Sequence, residues 1–219
     1  MKESPQKKIL FVGLGSIGKK HLLLCRDELP DSEIYCLKRN KEHNHEELID
    51  GYFYCTDKAV QFNPDYVFVC NPASQHLAIA SLFIHLDCKI FIEKPISNSL
   101  EEVKRFKEKY PNRLKNILIG YNLRFLEGLN SFKEAINTGT IGQVTRVHCE
   151  VGQHLSQWRK GDSFSRSISA SKTLGGGAML ELSHEFDLIN WIFGPPDWLF
   201  SYIGTDTFDE MMVEDNALI

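Results

Sequence analysis

Three short runs of residues are candidates for binding or reaction. Gly13-Leu14-Gly15-Ser16-Ile17-Gly18 matches G-x-G-x-x-G, directly after the apolar run Ile9 to Val12 and at the start of a helical pattern. In that context Gly13 allows a tight turn, Gly15 lets backbone approach a pyrophosphate, and Gly18 lets helix and strand pack closely. The N–H groups of Ser16 and Ile17 then face the phosphate oxygens. The motif alone also fits a plain glycine-rich turn; the strand-turn-helix setting favours a dinucleotide. About 20 residues on, an acidic side chain would select an unphosphorylated ribose and a basic one a 2′-phosphate. Ile34 to Leu37 ends there in Lys38-Arg39-Asn40. Two cations and no carboxylate favour NADP(H) over NAD(H), the alternative being a solvated surface pair. The third group, Glu93-Lys94-Pro95, ends the run Lys89 to Ile92, at the strand edge where open α/β sheets bind ligands. A partly desolvated lysine there can exchange a proton near neutral pH; an ordinary surface lysine beside a glutamate is the other reading.

The elements that must hold these groups alternate. Strand-like runs at Lys8 to Val12, Glu33 to Leu37, Tyr66 to Cys70, Lys89 to Glu93 and Asn116 to Gly120 are interleaved with helical patterns at Ser16 to Asp27, Gln75 to His85 and Leu100 to Tyr110. This alternation predicts an α/β fold with a doubly wound parallel sheet. The continuous runs Tyr66 to Cys70 and Lys89 to Ile92 suit strands covered on both faces. Ser99 with Glu102 forms a capping box. After Gly120 the texture changes. An amphipathic helix from Phe125 to Asn137 is predicted, then an alternating, half-exposed strand from Gln143 to Val151, a polar Gly- and Ser-rich loop to Gly177, and a helix from Leu182 to Phe193 stopped by Gly194-Pro195-Pro196. Two domains follow, 1–121 and 122–219. Met212 to Ile219 reads as a strand just beginning, as in a truncated chain.

The bulk properties exclude several classes. The 219 residues carry 25 Lys and Arg against 29 Asp and Glu, a net charge of −4, with 42% hydrophobic residues. This is not a disordered chain, nor a strongly basic nucleic-acid binder. Residues 1–121 hold 18 Lys and Arg against 16 acidic residues, and residues 122–219 hold 7 against 13, so an anionic ligand finds the first part friendlier. The six cysteines form no C-x-x-C pair, and Cys36, Cys70 and Cys149 lie in apolar runs, which predicts buried, reduced thiols. No apolar stretch reaches the roughly 20 residues of a membrane span, so a soluble cytoplasmic protein is expected.

In order along the chain, the glycine motif, Asn71-Pro72 with His76, Glu93-Lys94-Pro95, Tyr121-Asn122-Leu123-Arg124-Phe125, and Gly175-Gly176-Gly177 with Glu181, His184 and Asp187 resemble the Gfo/Idh/MocA family of NAD(P)-dependent sugar oxidoreductases. The resemblance implies an N-terminal Rossmann domain and a C-terminal α/β domain with an open, mostly antiparallel sheet, incomplete here, whose complete form often makes a homo-dimer or tetramer interface. It implies that Lys94 is the catalytic lysine and His184 the acid/base on the substrate hydroxyl. Cys70, Asn71, Pro72, His76, Glu93 and Asn122 would join Gly13, Gly15, Ser16, Ile17, Gly18, Lys38 and Arg39 around the cofactor. Tyr121, Arg124 and Asp187 would contact substrate together with Lys94 and His184, and Lys94 would also touch the cofactor. The usual family spacing is Asp-x-x-x-His, whereas this chain has Glu181-Leu182-Ser183-His184. Glu181, His184 and Asp187 are three apart, so a single helix would carry them on one face, where Glu181 would be a third catalytic residue whose carboxylate fixes the His184 tautomer.

Trp158-Arg159 resembles a subgroup found among enzymes of surface-sugar biosynthesis: an indole offers a platform for a sugar ring and Arg159 a bidentate grip on carboxylate or phosphate. A buried loop anchor is an equal alternative. His43-Asn44-His45-Glu46-Glu47 reads as a solvated loop, and the lone Glu181-x-x-His184 is only a fragment of a di-iron pattern, so no metal is expected. The function implied is hydride transfer between nicotinamide and a hydroxyl or keto carbon of a sugar-like substrate. A redox-neutral glycoside hydrolase of the same family and a non-catalytic NADP-binding sensor are the alternatives.

Overall fold

The structure is a computed structural model that describes residues 6–40, 46–154, 157, 168–206 and 213–219. It divides into two compact units, Met1–Gly120 and Tyr121–Ile219.

The first unit is built on β1 (Lys8–Val12), α1 (Ser16–Glu28), β2 (Glu33–Leu37), β3 (Gly51–Phe53), α2 (Thr56–Gln61), β4 (Tyr66–Val69), α3 (His76–Phe83), β5 (Lys89–Ile92), α4 (Leu100–Lys109) and β6 (Ile117–Ile119). The six strands form one sheet in the order β3-β2-β1-β4-β5-β6, and every neighbouring pair is parallel. This is the doubly wound Rossmann order, in which the direction of winding reverses between β1 and β4 and leaves a crevice at the carboxyl ends of those strands. Because side chains alternate across a strand, β1 feeds two cores. Leu10 and Val12 pack with Val67, Val69, Ile90, Ile92 and Phe83 on one face. Ile9 and Phe11 pack with Leu22 of α1, Ile34 and Cys36 on the other. Apolar contact on both faces is why these strands read as unbroken hydrophobic runs.

Two elements, β3 and α2, were not legible in the sequence. Gly51 opens β3 because the Tyr35 ring of β2 lies against it, where a Cβ would collide with the ring. Tyr35 also stacks on Phe53 at 4.8 Å. A three-residue edge strand with a glycine carries no alternation to detect. The capping box at α4 is half as expected: Ser99 Oγ accepts from the Glu102 N–H at 3.3 Å. The return half runs through Ser97, whose hydroxyl donates to Glu102 Oε2 at 3.0 Å and accepts from the Ser99 N–H at 3.1 Å.

The second unit comprises a 3₁₀ turn (Asn122–Phe125), α5 (Glu127–Asn137), α6 (Ala178–Glu181), α7 (Ser183–Phe193) and an antiparallel pair, β7 (Tyr202–Gly204) with β8 (Asn216–Leu218). Two expectations are corrected here. Residues 143–151 form no strand: they are exposed, and no described residue pairs with them. Alternating polarity does not make a strand unless a neighbour takes up its backbone hydrogen bonds. Cys149, which lies in this run, is therefore exposed rather than buried. The helix expected over Leu182 to Phe193 forms as α7, Ser183–Phe193, but no single helix carries Glu181 together with His184, because Leu182 (φ −100, ψ 29) leaves helical geometry between α6 and α7. Glu181 thus ends α6, while His184 and Asp187 share a face of α7.

Among the described residues, no helix is long and apolar enough to cross a membrane.

Candidate active site

The turn between β1 and α1 has the form that the glycine spacing predicted. Gly13 has φ +95, and a Cβ there would collide with the backbone of Cys70 and Asn71. A Cβ on Gly18 would press on the Gly13 carbonyl oxygen. These two glycines are required by the protein itself. Gly15 is different: its φ of −70 and ψ of −171 suit any residue, and nothing lies within 4 Å of where its Cβ would be. Neither backbone strain nor packing explains a glycine there, so the open space is what a ligand would fill. Gly15 is also the N-cap of α1, which has no side-chain cap and no acidic residue in its first turn. Its free N–H groups and positive dipole end suit an anion. The residues present fit a dinucleotide pyrophosphate.

β2 and β4 flank β1, so their carboxyl ends border this turn. At the end of β2, the Lys38 ammonium lies 4.1 Å from the centre of the Tyr52 ring. Arg39 is exposed, and its Nη2 donates to Gln75 Oε1. At the end of β4, the Asn71 amide donates to the same Gln75 oxygen at 3.3 Å. Asn71 Oδ1 is buried and accepts no hydrogen bond among the described residues. A buried acceptor of this kind calls for a donor that the described residues do not supply. Cys36 and Cys70 are buried beneath the turn, and burial pushes the Cys36 thiol up to about 12 and the Cys70 thiol higher still. Both are inert thiols.

Lys94 is held from two sides. Glu93 is 8% exposed and shares its carboxylate: Oε2 accepts from the Lys94 N–H at 3.1 Å, and Oε1 lies 2.6 Å from Nε2 of His21 on α1. Glu93 and Phe91 also crowd Gly120, where a Cβ would meet the Phe91 ring. On the other side His76, 1% exposed, places Nδ1 2.8 Å from the Pro95 carbonyl oxygen and Nε2 2.7 Å from that of Asn71. Burial lowers the His76 pKa against the opposite pull of the two carbonyls. His76 therefore ties the segment after β4 to the segment after β5. His21 and Gln75 carry no role that the sequence motifs point to. For His21 a signal existed, since it lies three residues after Gly18 and shares that face of α1.

In the second unit, Arg124 and Asp187 grip one another. Arg124 Nε and Nη2 donate to Asp187 Oδ2 and Oδ1 at 2.8 and 2.6 Å, a bidentate fork. The hydrogen bond from Asp187 raises the Arg124 pKa further. The guanidinium also lies 5.9 Å from the Trp191 ring, and the Tyr121 ring meets the His184 ring edge-on at 5.7 Å. The 3₁₀ turn that carries Arg124, with Tyr121 just before it, is thus docked on the α7 face that carries His184 and Asp187. Since Arg124 is 43% exposed at the side chain, the pair is partly screened. A double-mutant cycle of Arg124→Ala and Asp187→Ala, read by thermal or denaturant unfolding, is expected to give a coupling of about 1 kcal/mol. A coupling near zero would mean that the pair does not hold the turn.

Glu181 Oε1 accepts from the hydroxyl of buried Ser169 at 2.6 Å. The glycine block before α6 has a packing explanation: Gly177 has φ +111 and the Glu214 carboxyl lies against it, accepting from the Met179 N–H at 3.2 Å. Trp158, Arg159 and the residues 43–45 lie outside the described residues. Among the described residues no His, Cys, Asp and Glu cluster could hold a metal ion.

Residues 7–121 match the family described as "Oxidoreductase family, NAD-binding Rossmann fold", and residues 129–219 match the GFO/IDH/MocA C-terminal domain. The chain belongs to the Gfo/Idh/MocA oxidoreductase family. It is 25% identical over 194 residues to an inositol 2-dehydrogenase/D-chiro-inositol 3-dehydrogenase of Lacticaseibacillus casei, a match covering 84% of this chain and 52% of the relative. It is 24% identical over 194 residues to a myo-inositol 2-dehydrogenase of Thermotoga maritima, covering 85% of this chain and 55% of that one. The chain therefore spans about half the length of these curated relatives. In fold it is similar to the WlbA dehydrogenase of Bordetella pertussis, solved with NADH and UDP-GlcNAcA, with a TM-score of 0.79 at 20% identity over 98% of this chain and 65% of that one. The scyllo-inositol dehydrogenase of Lactobacillus casei, solved with NAD(H) and scyllo-inositol, has a TM-score of 0.69 at 22% identity over 90% of this chain and 57% of that one.

Proposed function

We propose that this chain is part of an NADP-dependent oxidoreductase that moves a hydride between nicotinamide and a hydroxyl or keto carbon of a sugar, polyol or nucleotide-sugar substrate. The observation that carries this reading is the β1–α1 turn, with an open Gly15 at an uncapped helix start, in a chain of this family. The substrate class is supported by the relatives, which are named for inositols, and by the similar structures, solved with scyllo-inositol or UDP-GlcNAcA. The preference for NADP rests on Lys38 and Arg39 at the end of β2, where no carboxylate stands.

Residues 1–121 form the nucleotide-binding domain in this reading, and residues 122–219 the substrate domain. Gly13, Gly15, Ser16, Ile17 and Gly18 present backbone to the pyrophosphate. Cys70, Asn71, Pro72 and Glu93 border the crevice, His76 braces it from beneath, and Asn122 completes the cofactor contacts. When bound, nicotinamide supplies the hydride acceptor or donor. Lys94 takes or returns the substrate hydroxyl proton at Nζ while Glu93 holds its backbone. In the substrate domain His184 is the acid/base and Tyr121, Arg124, Trp158, Arg159 and Asp187 are the substrate contacts. The Asp187 side chain, already gripped by Arg124, acts there by orienting that guanidinium. Glu181 positions the α6–α7 corner through Ser169.

A fluorescence titration of the folded chain with NADPH and, separately, NADH tests the reading. NADPH is expected to bind about 10- to 100-fold more tightly, the worth of a charge-assisted hydrogen bond of about 1.5–3 kcal/mol. Tighter NADH binding would overturn the NADP assignment alone. Binding of neither nucleotide would overturn the oxidoreductase reading.

A further inference from the structure

The geometry points to Gln75 as the residue that sets nucleotide specificity, by aiming the Arg39 guanidinium. This inference rests on the NADP reading above and deepens it.

Arg39 and Gln75 are 36 residues apart and belong to loops that leave different strands. Because β2 and β4 lie on either side of β1, a bond between these loops reaches across the carboxyl end of β1, where the glycine turn begins. Gln75 Oε1 accepts from Arg39 Nη2 on one side and from the Asn71 amide on the other. The same residue therefore touches the cation beside the adenosine end of the crevice and the residue whose buried oxygen awaits a donor. Gln75 is itself fixed at the base of α3: its N–H donates to the Pro72 carbonyl at 2.9 Å, and the next residue is His76, buried and bonded at both ring nitrogens.

Arg39 is exposed, and a long exposed side chain loses rotamer entropy when it is ordered. The bond to Gln75 orders it before any ligand arrives, which lowers the cost of contact with a 2′-phosphate. A neutral amide suits this purpose. A guanidinium carries five N–H donors, so a bond through one fixes its plane without cancelling its charge. A carboxylate at position 75 would also fix the plane, but it would neutralise the charge and repel a phosphate. Lys38 is directed to the Tyr52 ring, which leaves Arg39 as the cation that Gln75 controls.

The test measures the ratio of the NADH to NADPH dissociation constants for the wild-type chain, Arg39→Ala, Gln75→Ala and Gln75→Glu, by fluorescence titration at two salt concentrations. No substrate is needed, and because both nucleotides are titrated into the same sample, a partly unfolded fraction leaves the ratio unchanged. Gln75→Glu is expected to lower the NADPH preference tenfold or more, with NADH affinity kept within about threefold, and Gln75→Ala to lower it about threefold. Arg39→Ala should remove most of the preference and its salt dependence. If the wild type prefers NADPH and Arg39→Ala loses that preference while Gln75→Glu keeps it, the role of Gln75 is overturned and the NADP reading survives. If the wild type does not prefer NADPH, both fall together. A merely structural Gln75 would shift the melting temperature in both variants and leave the ratio where it was.

Discussion

Gly15→Asp is expected to weaken nucleotide binding by at least about 100-fold while leaving the melting temperature within a few degrees of wild type. The two effects separate because of where the new side chain goes. Gly15 has an ordinary backbone conformation and no neighbour within 4 Å of the added Cβ, so the protein accommodates it. The carboxylate, however, enters the space in front of the α1 N-terminus and places a negative charge where the pyrophosphate must sit. At about 1.4 kcal/mol per tenfold, the loss corresponds to about 3 kcal/mol of binding. Gly18→Ala supplies the contrast. Its methyl group presses on the Gly13 carbonyl oxygen, a backbone atom that cannot swing aside, and overpacking of this kind costs about 1–3 kcal/mol of stability. One variant should melt normally and fail to bind; the other should melt early. Nucleotide titration and a thermal melt of both variants decide the matter, and normal NADPH binding by Gly15→Asp would remove the turn from the cofactor site.

Lys94→Ala is expected to cut turnover by about 10²- to 10⁴-fold, the usual worth of a general acid or base, with NADPH binding kept within about threefold. Lys94→Arg sharpens the test. Arginine keeps the positive charge but does not release its proton in the accessible pH range. If Lys94 moves a proton, the arginine variant should be nearly as impaired as the alanine variant; if the lysine only supplies charge, arginine should restore most of the rate. The assay follows nicotinamide absorbance with any inositol or nucleotide-sugar acid that the wild-type protein turns over. Wild-type rates in both variants would take Lys94 out of the reaction.

Much of the fold lay in short-range signals. Ile9 to Val12, Tyr66 to Val69 and Lys89 to Ile92 are apolar at consecutive positions, and a strand covered on both faces has to be. Ser99 starts α4 through a bond to a backbone N–H three residues away, and Gly194 with the two following prolines stops α7. Residues 143–151 alternate as a strand would, yet no described residue pairs with them. The strand β3 was invisible because its three residues owe their place to the Tyr35 ring rather than to any pattern of their own. The spacing of Glu181 puts it on the face of His184 only in a continuous helix, and the break at Leu182 separates the two.

The candidate site divides in the same way. The glycine turn, the lack of a carboxylate after β2, and Lys94 at the carboxyl end of β5 can be read from the chain alone, because each depends only on neighbouring residues and on the alternation of strand and helix. Three contacts emerge only on folding: His21 meets Glu93 across 72 residues, Arg124 grips Asp187 across 63, and Gln75 rather than solvent receives Arg39. Strand order brings them together. Which side chains meet above the sheet follows from β2 and β4 both lying against β1, and that adjacency is fixed by the burial of two whole faces, not by any local run of residues.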